Sequence, residues 1–410
     1  MPCVLPPTTN HPSAKLGKRD VVGTAPTLNP ARLKAASPLS LAPTDLAMFF
    51  LNVGDGDSIV IRFPEEAGVP SFGVIDSYRG AKTVALVRDL SPPAPAAPRI
   101  RFVCATHPHL DHISGLRNVL TTFAGRVEEF WDSGFRFTGT TYRNLIEEVE
   151  KQGLLHRLRL LRPTSGFEFF HAGAALSILS PSIALRNRYD TYGVDVNNAS
   201  IVVRLTYPVG KPSLEYPKTD GPPPAGDAAP DSSTVILGGD AQSDAWGQVL
   251  QEFPHLDPDE RQWARAIGAG NGRTPLRCDL FKVSHHCSKR GINLELIERL
   301  GDTGSTFGST GPPLLVSSCA TDADSEYGFP HAVTQGLLRE VRDPQAKAGG
   351  AHADDDQLGI HYTSQRLTGA GGGAAGSIAY VMKANGTASL YRMCDEVDDD
   401  VSLVGARRLA

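Results

Sequence analysis

Short apolar runs recur along the chain, and glycine, proline, aspartate or asparagine stands at many of their ends. Runs of this length that are rich in β-branched and aromatic residues predict strands. The first two flank a tight turn at 54–57, which indicates a hairpin. The predicted strands cover residues 47–53, 58–63, 71–75, 99–105, 128–131, 157–161, 176–179, 200–207, 234–237, 280–283, 314–319, 377–382 and 388–392.

Four stretches between these strands have apolar residues at helical spacing instead. They cover residues 82–90, 113–123, 244–253 and 332–341. The strands come in runs with helices between them, and no internal repeat is visible. Because a sheet must bury its apolar face, the pattern predicts an α/β fold in which two sheets pack together with helices outside.

The same pattern predicts one globular domain at 46–394, flanked by segments of other composition. Residues 1–45 are rich in proline, serine, threonine and alanine, which predicts a flexible leader. Residues 208–233 are rich in glycine, proline and aspartate and have no periodicity, so we expect an exposed loop insertion. Residues 395–410 begin with an acidic run and are predicted to be a solvated tail.

Composition narrows the class of protein. The chain has 410 residues, of which 40% are hydrophobic and 21% charged, as in soluble globular proteins. There is no signal-peptide pattern, and the six cysteines are irregularly spaced without a C-x-x-C pair, so we expect free thiols in the cytoplasm. The net charge of −5 argues against a broad basic surface for duplex nucleic acid, although a local basic groove is compatible with it.

The segment 106–112 carries the strongest chemical signal. It reads Thr-His-Pro-His-Leu-Asp-His and follows the predicted strand 99–105 directly. Imidazole and carboxylate are ligands of zinc and similar divalent ions. His107 and His109 point to one side of an extended segment and can hold one ion. Asp111 and His112 begin a helical pattern and can hold a second, whereas a polar loop with surface histidines is the plainer interpretation.

Two other predicted strands end in residues of the same kind. Asp240 follows the strand 234–237, and His285 and His286 follow the strand 280–283. Ligands at the ends of several strands on one sheet edge form a rigid metal site. The alternatives are a helix N-cap for Asp240 and a buried structural histidine for one of the pair.

With these motifs the chain resembles the metallo-β-lactamase superfamily, whose signature is H-x-H-x-D-H. It is more closely similar to the hydrolase domain of ComEC-type competence proteins and their stand-alone relatives, over roughly residues 47–395. The membrane channel of those proteins is absent, so DNA transport is not implied. The matching segments are 51–58, 74–76, 106–112, 197–200, 237–240, 282–289 and 327–331.

The chain departs from the family pattern at three places. Cys287 stands at the glycine of the usual His-His-Gly-Ser, and Phe329 stands at the histidine of a Tyr-Gly-His-Pro element. The separate third histidine of lactamases and glyoxalases is not evident, and Asn197 or Asn198 lies near its place. These departures disfavour a lactamase or a glyoxalase. Histidine at position 109, where di-iron flavoprotein reductases carry glutamate, disfavours redox chemistry.

The resemblance implies an αββα sandwich with two divalent ions, zinc or alternatively manganese. His107 and His109 would hold one ion, Asp111, His112 and His286 the other, and Asp240 would bridge them. His285 would then be free as a proton donor or phosphate contact, although the order of His285 and His286 stays open. Asp111 would help to orient the nucleophile, and Asp76 would buttress the histidine loop. The candidate substrate contacts are Ser288, Lys289, Arg290, Asn198 and His331.

The predicted function is a dinuclear zinc-dependent hydrolase, a phosphodiesterase or nuclease that uses a metal-bridging hydroxide. Lys289 and Arg290 would contact non-bridging phosphate oxygens, unless they belong to an ordinary solvated loop. One alternative is a hydrolase of a non-nucleotide ester, such as a phosphocholine ester or a lactone. Another is a partner-regulated subunit that binds metal without catalysis. A protein partner or an oligomer is compatible with either.

Overall fold

A computed structural model gives the conformation of most of the chain. The described residues are 28–29, 31, 33–35, 37–93, 97–186, 195–209, 232–252, 276–300, 312–320, 325, 327–343, 353–368 and 373–409.

The first sheet is mixed and has nine strands among the described residues. Its strands β3 to β6 run parallel, and the others pair antiparallel. In spatial order they are β16 (Arg407–Arg408), β15 (Ala388–Arg392), β14 (Ile378–Met382), β1 (Leu46–Phe50), β2 (Ser58–Arg62), β3 (Ser71–Ser77), β4 (Arg99–Ala105), β5 (Val127–Asp132) and β6 (Arg159–Leu161).

The second sheet is also mixed, with seven strands in the part of the chain that the structure describes. Strands β10 to β13 run parallel, and β7 to β10 run antiparallel. In spatial order they are β13 (Ile360–Tyr362), β12 (Leu314–Ser317), β11 (Leu280–Lys282), β10 (Ser233–Leu237), β9 (Val202–Tyr207), β8 (Ala174–Ser180) and β7 (Glu168–His171).

Helices cover the outer faces of both sheets. On the first sheet lie α1 (Gly80–Asp89), α2 (Leu110–Ile113), α3 (Leu116–Thr122) and α4 (Thr140–His156). On the second lie α5 (Ser243–Glu252), α6 (Leu294–Leu300) and α7 (Ala332–Arg342).

Three apolar clusters separate these layers. One lies between the two sheets and contains residues such as Phe50 and Val235. A second joins the first sheet to its helices, and a third joins the second sheet to α5, α6 and α7. Strands β1 and β10 are buried over their whole length, as expected for strands covered on both faces. The predicted fold class, an αββα sandwich of two mixed sheets, is confirmed.

The flanking segments differ from expectation where the structure describes them. Residues 1–27 of the predicted leader lie outside the described part, but Leu28 and Leu33 are buried in a small apolar cluster with Ala375. In the predicted acidic tail, Val401 is buried, and β16 adds a strand to the first sheet. The tail prediction is therefore wrong for these residues, because apolar side chains between the charges anchor them. Of the predicted loop insertion 208–233, residues 210–231 lie outside the described part.

The predicted helix at 113–123 is two short helices, α2 and α3. Gly115 separates them at a close approach of two backbones, where an added Cβ would lie 2.4 Å from the Gly80 nitrogen. Five cysteines are described and all are free, as predicted. Among the described residues no helix has the length and apolar content needed to cross a bilayer.

Candidate metal centre

The first wall of the site forms where β4 ends. The chain bends over residues 106–108, has extended backbone angles at His109 (φ −77°, ψ 151°) and enters α2 at the next residue. His107 and His112 are fully buried, whereas Asp111 keeps 23% of its side chain exposed. The His107 ring lies 4.7 Å from the His109 ring and 4.2 Å from the His112 ring between centroids, so the three rings converge.

The second wall comes from the other sheet, where the parallel strands β10, β11 and β12 end on one edge. Asp240 follows β10 after Gly238 and Gly239. An added Cβ at Gly238 would lie 2.0 Å from the Ser284 Oγ and 3.1 Å from the Lys282 carbonyl oxygen, so glycine lets these two strand ends approach closely. The backbone N–H of Asp240 donates to Ser200 Oγ at 3.1 Å, which holds this backbone against the segment just before β9.

The adjacent histidines lie in a strained turn, Ser284–Cys287, after β11. His285, His286 and Cys287 have φ angles of 52°, 52° and 65°, in the left-handed region that favours glycine. Glycine would adopt such an angle at position 287 without strain. Here the Cys287 side chain is instead fully buried in the apolar cluster of the second sheet.

Four side chains converge where the walls meet, and we call them the four-ligand cluster: Asp111, His112, Asp240 and His286. One ligand atom from each lies within 4.8 Å of all the others. Asp240 Oδ1 lies 3.2 Å from His112 Nε2 and 3.4 Å from His286 Nε2. Asp111 Oδ2 lies 3.7 Å and 3.4 Å from the same two nitrogens. The nitrogens are 3.3 Å apart.

These five separations, 3.2–3.7 Å, are close to the ligand spacing of a zinc ion. Four ligands at zinc's usual bond lengths lie roughly 3.3–3.5 Å from one another. The cluster therefore has the donor types and the spacing of a zinc site. It contains His286, while His285 lies outside it.

The other oxygen of Asp240 faces a second set of nitrogens. Oδ2 lies 3.7 Å from His107 Nε2 and 3.8 Å from His285 Nε2. The buried His107 Nε2 has no hydrogen-bond partner among the described residues. His109 packs its ring edge-on to His107 at 4.7 Å between centroids. The two oxygens of Asp240 thus face different pairs of imidazoles, as a bridging carboxylate would.

Buried acceptors fix the cluster histidines from behind. His112 Nδ1 donates to Asp76 Oδ2 at 2.7 Å, and His286 Nδ1 donates to the Ser318 carbonyl at 2.6 Å. Asp76 also accepts from the Thr106 backbone N–H at 2.8 Å. Both rings therefore point Nε2 at the cluster centre, the arrangement that outer partners give metal-bound histidines. Asp76 has the buttressing position expected for it.

Asp57 and Lys282 form a buried ion pair beneath the cluster, which the sequence did not reveal as part of the site. Asp57 Oδ2 lies 3.8 Å from His112 Nδ1, and its Oδ1 lies 3.9 Å from His286 Nδ1. Both residues stand inside segments that carry the resemblance, Asp57 in 51–58 and Lys282 in 282–289. Their pairing across 225 positions is not visible in any local pattern.

Protonation differs across the centre. Against burial, which lowers it, the Asp240 carboxylate and a hydrogen bond with Asp111 raise the pKa of His286 to about 9. Against burial, Asp240 and Asp76 likewise raise the pKa of His112 well above its usual value. For His107, burial and the neighbouring His112 lower the pKa well below its usual value. The carboxylates thus concentrate negative potential at the four-ligand cluster.

The predicted substrate contacts lie in different surroundings. Asn198 Oδ1 accepts from the backbone N–H groups of Gln242 and Ala245, so this side chain braces α5. His331 caps α7, where its Nδ1 accepts from the Val333 N–H at 3.3 Å. These hydrogen bonds hold the two side chains against α5 and α7 and do not direct them towards a substrate. Asn197, which the sequence left as an alternative, instead places Nδ2 3.3 Å from His285 Nε2.

Ser288, Lys289 and Arg290 continue the histidine turn. Ser288 is 6% exposed, and its Oγ accepts from the Arg290 N–H at 3.4 Å. Lys289 and Arg290 are exposed.

Aromatic side chains flank the histidines on two sides. The Phe329 ring lies 5.7 Å from His286 and 5.8 Å from His285 between centroids. Tyr327 stacks on Phe329 at 5.8 Å and is 63% exposed. On the opposite side, Phe137 lies edge-on to His109 at 5.9 Å. The Phe329 ring therefore covers one side of the histidine pair.

No family model matches the chain, and no curated protein matches it. Solved structures with low sequence identity match it. They include a metallo-β-lactamase from Hirschia baltica, with 14% identity, 57% of this chain and 87% of that chain covered and a TM-score of 0.26. The metallo-β-lactamase fold protein YhfI from Bacillus subtilis has 10% identity and a TM-score of 0.35, with 73% of this chain and 92% of that chain covered. Zinc-bound PqqB from Methylobacterium extorquens has 9% identity and a TM-score of 0.32, with 71% of this chain and 95% of that chain covered. At these identities and TM-scores, the likeness carries no inference about activity.

Proposed function

We propose that this chain is a dinuclear zinc-dependent hydrolase that cleaves phosphodiesters, with nucleic acid as the substrate class. The observation that carries this is Asp240, whose Oδ1 lies 3.2 Å and 3.4 Å from the Nε2 atoms of His112 and His286, while its Oδ2 lies 3.7 Å from His107 Nε2 on the other side. Asp111 lies on the solvent side with 23% of its side chain exposed, and Asp240 would hold both ions. A pair of divalent ions held there would supply Lewis acidity and an activated water.

The residues around that centre would have separate roles. His107 and His109 would hold one ion, the four-ligand cluster would hold the other, and Asp76 would fix the ring of His112. His285 is held by Gln242 at 3.0 Å and by Asn197 at 3.3 Å. With Gln242 Nε2 donating to Nδ1, the ring proton lies on Nε2, and we assign this N–H a hydrogen bond to a phosphoryl or leaving oxygen in place of its contact with Asn197.

Charge and aromatic surface beside the centre support a phosphodiester over a neutral ester. Lys289 and Arg290 are exposed directly after the ligand turn and can contact non-bridging oxygens. The exposed face of Tyr327, stacked on Phe329, offers a surface on which a base can lie.

The test is hydrolysis of a bis-aryl phosphodiester, and of single- and double-stranded DNA and RNA, by the zinc- or manganese-loaded chain. We expect turnover that Asp111→Ala abolishes while the circular dichroism spectrum is unchanged. Asp400→Ala, which removes an exposed carboxylate, is the matched control. Turnover of a lactone or a phosphocholine ester without cleavage of the bis-aryl phosphodiester or of nucleic acid would reject the proposed substrate, and full turnover by Asp111→Ala would reject the site.

Tyr327 gives a separate test of the substrate class. Because base stacking on an aromatic ring contributes about 1–3 kcal/mol, Tyr327→Ala should raise KM for a single-stranded oligonucleotide roughly tenfold. The bis-aryl phosphodiester, which bears no base, should be turned over with unchanged KM. An equal loss on both substrates would mean that Tyr327 only maintains the local structure.

A further inference from the structure

A cleft rich in arginine lies at the end of the first sheet opposite the metal centre. It encloses about 620 Å³ beside the amino ends of β4, β5 and β6. The seven residues of β4 separate it from the metal centre by roughly 20 Å. Its charged and titratable lining residues are Arg99, Arg126, Glu128, His156, Arg157 and Arg159.

Carboxylates compensate only part of this positive charge. Arg99 pairs with Glu128, and Arg159 pairs with Glu129. Arg101, which lies beside the cleft, also reaches Glu128 at 3.5 Å. The Arg126 and Arg157 side chains form no ion pair or hydrogen bond with any of the described residues, and both are exposed. The cleft therefore keeps an excess of positive charge in a chain whose net charge is −5.

The fold brings these arginines together from separate elements. Arg99 and Arg159 begin strands, Arg126 lies in the turn before β5, and Arg157 is the C-cap of α4. Arg157 has a φ of 62°, a conformation that usually selects glycine or asparagine. The helix dipole favours one positive charge at this end of α4, but it does not account for arginines at three other chain positions.

We propose that this cleft binds a small, multiply charged anion of the polyphosphate class, such as the phosphate chain of a nucleoside polyphosphate. The volume is that of a small-molecule site. Guanidinium groups bind phosphate through paired hydrogen bonds, and a concave surface of one sign concentrates such ligands. This is a second ligand site, apart from the phosphodiester substrate of the metal centre, and it does not depend on the function proposed above.

The probe is inorganic tripolyphosphate, titrated by calorimetry into the full chain after removal of bound metal, because polyphosphate chelates divalent ions. We expect saturable binding at one site per chain. Arg126→Gln together with Arg157→Gln should weaken it about tenfold or more, which is a loss of one or two charged hydrogen bonds. Arg126→Gln alone should give a smaller loss in the same direction.

The matched control is Arg88→Gln with Arg117→Gln, which removes the same charge from exposed positions on α1 and α3. This pair should bind within about twofold of the wild type, since screened charges outside the cleft contribute little. His286→Asn should also leave binding unchanged, which separates the cleft from the metal centre. The proposal is overturned if the wild type shows no saturable binding, or if the Arg126/Arg157 variant binds as tightly as the control.

Discussion

The two halves of the candidate metal centre are built differently. The four-ligand cluster gathers Asp111, His112, Asp240 and His286 from both sheets, and outer acceptors fix its two rings at Nδ1. The pair His107 and His109 comes from one local segment. His107 Nδ1 has Thr106 Oγ1 at 3.2 Å, and the nearest carboxylate oxygen to its Nε2 is the one that Asp240 offers at 3.7 Å.

This difference indicates which half of the site is better preorganised to bind an ion. Atoms that are already at ligand spacing lose little freedom when an ion binds, and carboxylates add charge to attract it. The cluster has two carboxylates and preset rings, whereas the pair shares one carboxylate. We therefore expect the cluster to hold its ion more tightly than the pair does.

Asp240→Asn should have the largest effect, because Asp240 faces both halves. We expect loss of both ions and a fall in kcat/KM of about 10³-fold or more, beyond the 10–100-fold typical of an outer residue. Metal content by mass spectrometry and turnover of a bis-aryl phosphodiester check this. Asp400→Asn is the control, and retention of two ions by Asp240→Asn would show that this residue does not bridge.

The adjacent histidines allow a direct contrast between the halves. His286→Asn removes a cluster ring, so it should lose the tighter ion and reduce turnover about 10³-fold, whereas His285→Asn should keep that ion and reduce turnover about 10–100-fold. Metal stoichiometry and turnover are measured on both variants. If His285→Asn loses the tighter ion and His286→Asn keeps it, the order of the two residues is reversed.

Lys282→Met tests the support beneath the cluster. It leaves Asp57 buried without its partner, which should cost about 3–5 kcal/mol of unfolding free energy and weaken metal binding about 10–100-fold. Thermal melts and metal titrations measure the two effects, with the exposed Lys151→Met as control. The double variant Asp57→Asn/Lys282→Met should regain stability without regaining metal affinity, and recovery of both would limit the pair to a structural role.

The local pattern revealed the ligand types but not what holds them. His107 to His112 lie in one short segment, and Asp240 and His286 follow apolar strands, so each can be recognised alone. Asp57 and Lys282 meet only in the folded chain. Asn198 was predicted to contact substrate because it stands near the place of a ligand in the proteins that the sequence resembles. Its side-chain oxygen instead accepts the Gln242 N–H just before α5.

The architecture was predictable for a similar reason. Strands with apolar runs were recognised, whereas α4 was missed, although its buried Leu145, Val149 and Gln152 have helical spacing. Its buried face includes Glu148 and Gln152, which weakens the apolar pattern. Such positions are decided by tertiary packing, which local periodicity does not report.

The most direct test of the central claim is a zinc titration of the metal-free chain against a competing chelator, with His109→Asn and His286→Asn in parallel. The wild type should bind two ions of unequal affinity. His109→Asn should lose only the weaker ion, and His286→Asn should lose the tighter one. Loss of the tighter ion in His109→Asn, or two ions of equal affinity in the wild type, would contradict the account.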